Sequence, residues 1–336
     1  MLSNEIQSAM NASFNRRHAA KLVAAGSLAA YFNRVTHADD LATDSPPDAD
    51  AAPSEQGQPA PKAELPYFDR IGLQLYTLRN QMADAPQATL EAVAKAGYFQ
   101  VELMNIDEDA VKIASMARDA GLAIHSGFLD FNVITEPGKD GVASIEQVLD
   151  LAERIGLRHV VFGYIAKHQR DTADKCRAIA DRANDAARKT REAGMRMCYH
   201  NHSFEFQKFA GDNSDQPLTA FDLFVERFDP HQLEFELDVF WVKVGGHDPL
   251  AMMKRLAGRI SQVHLKDMQQ GTPVITDEGQ VPDDAFQELG DGVINIPAVV
   301  RLAREIGVEQ CHVEQDQSPA PLESIVQSYQ YLQGKA

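Results

Sequence analysis

Beyond residue 70 the chain alternates between two hydrophobic rhythms. Short segments with every second residue apolar predict strands; longer ones with apolar residues three or four apart predict helices. The strand-like segments are "IGLQLYT" (71–77), "QVELMN" (100–105), "AIHSGF" (123–128), "HVVFGY" (159–164), "MCYHNHSFEF" (197–206), "LEFELDVF" (233–240), "ISQVHLKDM" (260–268) and "CHVEQD" (311–316). Between them stand helical segments such as "ATLEAVAKAG" (88–97), "SIEQVLDLAERIG" (144–156) and a long one ending near Gly194, each stopped by a glycine. Eight strands in strict alternation with helices predict an α/β chain, a (β/α)8 TIM barrel forming a single domain over residues 67–336. No GxGxxG follows the first strand, which removes the main support for a dinucleotide-binding sheet.

The parity of each strand says what the barrel encloses. In "LEFELDVF" Leu233, Phe235 and Leu237 share one face, and Glu234, Glu236 and Asp238 the other. Val263 and Leu265 oppose Gln262, His264 and Lys266; Val101 and Leu103 oppose Gln100, Glu102 and Met104. In the last strand His312, Glu314 and Asp316 alternate with Cys311, Val313 and Gln315. The apolar faces must meet the helices, so the polar sets face the barrel axis. Burying carboxylates and imidazoles there is costly without partners, which a metal ion, mutual hydrogen bonds or a polar substrate supply.

His200 and His202 fall on one face of the fifth strand and, with Asp238, His264 and Glu314, offer one or two ligands from each of strands five to eight. Carboxylates plus imidazole, with open positions, suit one divalent ion (Mn, Co, Mg or Zn) in a catalytic site. Lys266 is a candidate to stabilise an enolate or donate a proton, with a structural ion pair to Glu236 as its plain alternative. Glu102 and His125 end strands two and three facing inward, to grip sugar hydroxyls or to bond each other, and Glu102 is also a catalytic candidate. Trp241, Phe128 and Tyr76 are candidates for an apolar wall against a sugar ring, or for core. "GGHDP" (245–249) is a turn and helix start, with Asp248 as cap and Pro249 at the first position. "GDG" (290–292) is a loop signal and a weak candidate phosphate cradle.

Charge narrows the partners. A net charge of -17 argues against a generally basic nucleic-acid surface and for a small polar substrate or a protein partner. The three cysteines, Cys176, Cys198 and Cys311, form no CxxC and no paired framework. No apolar run reaches the roughly 20 residues of a spanning helix. The N-terminus has a different character: Arg16-Arg17, Lys21 and an Ala-rich stretch before "VTHA" have the layout of a twin-arginine-type export signal over residues 1–38. Residues 39–66, rich in proline, alanine and acidic charge, read as a flexible linker. The expected location is periplasmic or secreted, and cytoplasmic if the N-terminus is no signal.

The combination of "YHNHSFEF", "LDVFWVKVGGHDPL", "RISQVHLKDM", "LGDGVINIP" and "HVEQD" resembles the xylose isomerase-like TIM-barrel superfamily, nearest its sugar phosphate isomerase/epimerase group, over roughly residues 70–334. The resemblance implies a divalent metal held at the ends of strands five to eight, nominating Asp238, His264 and Glu314. Many members carry glutamate where His200 stands and a second histidine where Trp241 stands. The first difference leaves either His200, in matching position, or Glu205, swinging back from the loop, as the fifth-strand ligand, with His202 and Glu205 as supporting or proton-transfer candidates; the second argues against a multi-metal site. The implied activity is a sugar isomerase or epimerase working through a metal-stabilised enediolate on a keto-sugar. The "YHNH" variant is as similar to inosose dehydratase-like members, so a dehydratase or lyase on a keto-sugar, keto-glycoside or inosose is the alternative. A free sugar or keto-glycoside suits an exported protein better than a sugar phosphate. An exported carbohydrate-binding protein without turnover is the reading from another class. The partner expected is a small carbohydrate, with an oligomer possible.

Overall fold

The computed structural model describes residues 67–209 and 218–335. The expected export signal and linker lie outside the described residues. Eight parallel strands close into a barrel: β1 (Gly72–Gln74), β2 (Gln100–Leu103), β3 (Ala123–Phe128), β4 (His159–Phe162), β5 (Arg196–His200), β6 (Leu233–Asp238), β7 (Ile260–Leu265) and β8 (Gln310–Val313). β1 pairs with β8 to complete the ring, Gly72 level with His312. A principal helix follows each strand: α1 (Pro86–Ala96), α2 (Glu108–Asp119), α3 (Ile145–Ile155), α4 (Ala173–Glu192), α5 (Ala220–Arg227), α6 (Pro249–Arg255), α7 (Ile296–Glu305) and α8 (Pro321–Lys335). A short two-stranded ribbon, Asp267–Met268 against Phe286–Gln287, stands in the long connection after β7.

The local signals explain the boundaries. Ser144 and Gln147 form a capping box at the start of α3, and Gly156 ends that helix in the left-handed region at φ 82°. Thr172 caps α4, whose buried residues Cys176, Ile179, Ala180, Ala183 and Ala187 recur at helical spacing. Asp248 caps α6 ahead of Pro249, as the sequence predicts.

Most strands are shorter than their apolar runs. β1 stops at Gln74, and Leu75–Leu78 coil into a 3-10 turn capped by the Gln74 side chain. β6 stops at Asp238, whose carboxylate accepts from the Trp241 amide and starts a helix, Val239–Val244. The residues just past the strand ends, Lys266 after β7 and Glu314 after β8 among them, therefore belong to the mouth of the barrel rather than its wall.

Parity holds inside. Tyr199 faces outward among Phe162, Phe224 and Phe228 at ring separations of 5.1–5.4 Å, while its neighbour His200 faces the carboxylates of β6. Each fully buried aromatic or aliphatic side chain in that outer layer contributes about 1.5–3 kcal/mol of burial.

Candidate active site

Four ligand candidates named from the strand pattern come together. One donor atom each from His200, Asp238, His264 and Glu314 lies within 4.8 Å of the others, and all four residues are buried. The backbone explains why: Asp238 stands level with His264 across β6–β7, His264 with His312 across β7–β8, and Glu314 is the second residue beyond His312. The Asp238 carboxylate divides its work. Oδ1 accepts from the Trp241 amide at 2.9 Å; Oδ2 points into the cluster, receives no hydrogen bond, and has Lys266 Nζ at 3.1 Å. Asn201, next to His200, accepts the Asp238 amide at 3.0 Å and so ties β5 to β6 at the ligand level.

These residues fit a divalent cation. Two buried imidazoles and two buried carboxylates are a mixed nitrogen and oxygen donor set, and an oxygen buried without a hydrogen bond is costly unless a cation compensates it. Burial and the neighbouring His264, His202 and Lys266 charges push the His200 imidazole well below its ordinary value, which keeps it neutral and its lone pair available. Glu314 is also buried, but the Lys266 ammonium and His264 hold it ionised, down to about 2. The carboxylates around His264 raise its affinity for a proton far above the ordinary value, so binding an ion through Nδ1 means displacing that proton.

A second polar layer supports the first. His264 Nδ1 lies 2.8 Å from Glu314 Oε2 and Nε2 lies 2.6 Å from Glu102 Oε2. Glu102 is itself held by the Gln74 amide at 2.8 Å. Glu236 reaches both histidines, 3.3 Å from His200 Nδ1 and 3.4 Å from His264 Nε2, and accepts from Gln262 at 2.9 Å. Glu102 and Glu236 thus stand against the rings of the candidate ligands His264 and His200. The sequence reading gave Glu102 a catalytic or sugar-gripping role; the structure buries it completely under His264. The sequence reading places Glu236 on the inward face of the sixth strand but gives it no role beyond that of a partner of Lys266. Its position, two residues before Asp238 on the same face, was the available signal.

Lys266 pairs not with Glu236, the partner considered from sequence, but with three other carboxylates: Glu314 at 2.6 Å, Asp316 at 2.5 Å and Asp238 at 3.1 Å. They keep its ammonium protonated, well above the ordinary range. Asp316 was not singled out as a site residue; burial pushes its carboxyl up to about 6 in spite of Lys266.

The remaining candidates divide. His202 joins the mouth: its ring stacks on Phe204 at 5.5 Å and lies 5.2 Å from Trp241 and 5.1 Å from His200. Its Nδ1 has no partner, and burial pushes the imidazole down to about 3. Phe128 lies edge-on to His200 at 5.4 Å, in a position open only because Gly163 has no side chain. Trp241 lies beneath Lys266, 5.4 Å from Nζ. Tyr76 stands at the rim, 38% exposed, under the Arg79 guanidinium.

Glu205 and His125 are not brought into the cluster. Glu205 turns outward: it accepts from the Tyr199 hydroxyl at 2.6 Å and the His202 amide at 2.9 Å. Burial pushes its carboxyl up to about 8. It braces the turn that follows β5. His125 is displaced by an irregularity between β2 and β3, where Val101 pairs with Ile124 but Glu102 pairs with Ser126. Ser126 takes the inward position, accepting from Gln262 at 2.9 Å, and His125 is half-buried beside Arg158.

Comparison with known proteins gives consistent relatives. The sequence profile described as xylose isomerase-like TIM barrel matches residues 90–333. The inosose dehydratase of Clostridium tetani is 27% identical over 175 residues, covering 49% of this chain and 56% of that protein, so the match spans little more than half the relative's length. That of Lacticaseibacillus casei is 23% identical over 273 residues, 73% of this chain and 88% of that one. The crystal structure of a sugar phosphate isomerase/epimerase from Parabacteroides distasonis superposes with a TM-score of 0.64 at 25% identity, covering 81% of this chain and 96% of that one.

Proposed function

The chain belongs to the xylose isomerase-like TIM-barrel family, and from that premise we propose that it is a divalent-metal-dependent enzyme transferring a proton at the carbon beside the carbonyl of a keto-sugar. The observation that carries this reading is the convergence of His200, Asp238, His264 and Glu314 beside the Lys266 ammonium. Those four residues would hold the ion, which supplies Lewis acidity to the carbonyl and its neighbouring hydroxyl.

The chain's own groups account for the rest. Lys266, kept charged, stands ready to stabilise negative charge developing on an oxygen at the mouth. His202, with Nδ1 unpartnered and its ring 5.1 Å from that of His200, is the proton-transfer candidate at the mouth. Phe128 and Trp241 wall the site on two sides and reduce access of water. Glu102 holds the His264 ring through Nε2, and the Glu236 carboxylate stands 3.3 Å from His200 Nδ1.

Return of the proton to the opposite face or to the adjacent carbon gives epimerisation or isomerisation. Loss of a β-hydroxyl or alkoxide from the same enolate gives a dehydratase or lyase; the inosose dehydratases among the relatives favour this second outcome. Incubating the metal-loaded protein with ketoses, keto-glycosides and inososes in heavy water tests both. Deuterium at the α-carbon with retained skeleton supports isomerase chemistry, and an unsaturated or deoxygenated product supports elimination. Metal binding without exchange on any of them refutes the proposal in favour of a binding protein. Export through the N-terminal signal is part of the proposal; an intact Met1 on the periplasmic protein refutes cleavage.

A further inference from the structure

The two ends of the barrel treat their buried polar groups differently. Near the mouth, Asp267 is satisfied by the chain: the amides of Gly290, Gly292 and Ile294 donate to its carboxylate at 2.9, 3.2 and 2.9 Å. The "GDG" turn is thus filled from within. At the floor, where the strands begin, a buried imidazole has no such support. His159 opens β4, is completely buried, and makes no hydrogen bond through Nδ1 or Nε2.

Strand register explains what surrounds it. Phe162 packs outward on Tyr199, so the alternation of β4 turns His159 toward the axis. Cys198 lies two residues before His200 on the inward face of β5, level with Glu234 across β5–β6. One donor atom each from His159, Cys198 and Glu234 lies within 4.8 Å of the others. At about 3.3 Å per residue, Cys198 is roughly 7 Å below His200 and Glu234 roughly 13 Å below Asp238, so this group is separate from the mouth. Glu234 Oε2, like the His159 ring, is buried without a hydrogen bond. Cys198 Sγ lies 2.9 Å from the Ser261 hydroxyl and 4.0 Å from Gln262 Nε2. Leaving buried donors and acceptors unmatched is costly, and an ion held by all three side chains would remove that cost.

We infer that the floor of the barrel carries a second metal site, in which His159, Cys198 and Glu234 ligate a divalent ion of the zinc type. The donor set selects the ion: thiolate, imidazole and carboxylate are the three zinc ligand types, whereas Mg and Mn prefer oxygen. Burial and the Arg196 guanidinium push the His159 imidazole down to about 3, which leaves its lone pair available. Tetrahedral bonds of about 2.0–2.3 Å place donors roughly 3.5 Å apart, a small side-chain adjustment from the spacing here. On binding, the S–H bond of Cys198 gives way to a sulfur–metal bond and the proton leaves to solvent. Glu309 Oε2, 3.7 Å from His159 Nε2, is placed to fill the fourth position. Charge closes as well. Arg196 Nη1 lies 2.5 Å from Glu309 and 3.5 Å from Glu234, and a divalent ion, a thiolate, two carboxylates and a guanidinium sum to zero. The side chains of Glu234, Arg196 and Glu309 all reach solvent, which gives the ion a short way in. Such an ion ties β4, β5 and β6 together at the end of the barrel that serves stability.

Cobalt substitution tests this, because thiolate-to-cobalt charge transfer absorbs in the near ultraviolet and the mouth cluster contains no sulfur. The full chain is stripped with a chelator, kept reduced, and titrated with Co(II). A charge-transfer band is expected that saturates at one thiolate-bound cobalt per chain and is displaced by zinc. It should persist in Asp238→Ala, Cys176→Ser and Cys311→Ser, and be lost in Cys198→Ser. Zinc-loaded Asp238→Ala should retain one equivalent by elemental analysis. Glu234→Gln keeps its size and reaches the exposed floor, so it tests the site even if Cys198→Ser fails to fold. There the band should need at least about tenfold more cobalt, a margin of 1.4 kcal/mol. No band in the wild type, a band that survives Cys198→Ser or disappears with Asp238→Ala, or an unchanged titration of Glu234→Gln overturns the inference.

Discussion

Glu314 and Glu205 are both buried carboxyl groups within one barrel, yet their surroundings drive them in opposite directions. Glu314 lies 2.6 Å from an ammonium and 2.8 Å from an imidazole, which hold it down to about 2. Glu205 has a phenol and one amide as its direct partners beside an aromatic layer, and burial pushes it up to about 8. Desolvation opposes charge in both places. The lesson is that burial alone makes a neutral structural acid, whereas burial beside fixed cations keeps a carboxylate ionised. Position in the sequence says little about which results, since Glu205 stands in the same motif as His200.

The largest expected effect comes from removing the ionised side of this contrast. Asp238→Ala and His264→Ala should each abolish the mouth's stoichiometric Mn or Zn, read by elemental analysis, and lower α-proton exchange by roughly 10³-fold or more, since Lewis acidity is worth several kcal/mol. Full metal content in both variants contradicts the assignment. Next comes the cation. Lys266→Met should leave metal bound and reduce exchange by about 10²- to 10⁴-fold, the range of a positioned acid–base or charge-stabilising group. If Lys266 were only structural, that variant would lose stability and metal together and keep its turnover per bound ion.

Smaller is the effect of the support beneath the ligands. Glu102→Gln keeps the shape but weakens the hold on His264 Nε2, so metal affinity should fall by about 10- to 100-fold while the fold is retained. A competitive chelator titration reads this directly. The last effect, on stability rather than on metal or turnover, belongs to Glu205. Its folded-state value is raised above the ordinary 4.5, so its contribution to stability is complete below that pH and is lost as pH rises through about 8. The loss is bounded by about 1.4 kcal/mol per pH unit between those values. Relative to the wild type, Glu205→Gln should lack that decline when denaturation is followed at pH 5 and pH 8. An unchanged slope would mean that Glu205 is already ionised, paired with Arg170 more strongly than its burial implies.

The sequence by itself determined the barrel and its polar lining, because alternation along a strand is a local property that the pleat converts into inside and outside. Eight strand-like runs with helices between them were enough for the fold, and the inward parity of His200, Asp238, His264 and Glu314 was enough to gather the four candidate ligands. Tertiary structure decided what parity cannot express. An irregular pairing between β2 and β3 gives the inward place to Ser126 instead of His125. A 3-10 turn after β5, Phe204–Phe206, sends Glu205 to the outer layer. Closure of the ring brings Glu102 of β2 under His264 of β7, 162 residues away. Folding of the β7 connection delivers Asp267 to the amides of a glycine turn. In each case the deciding term is which charge or donor arrives from a distant segment, and only the closed chain specifies that.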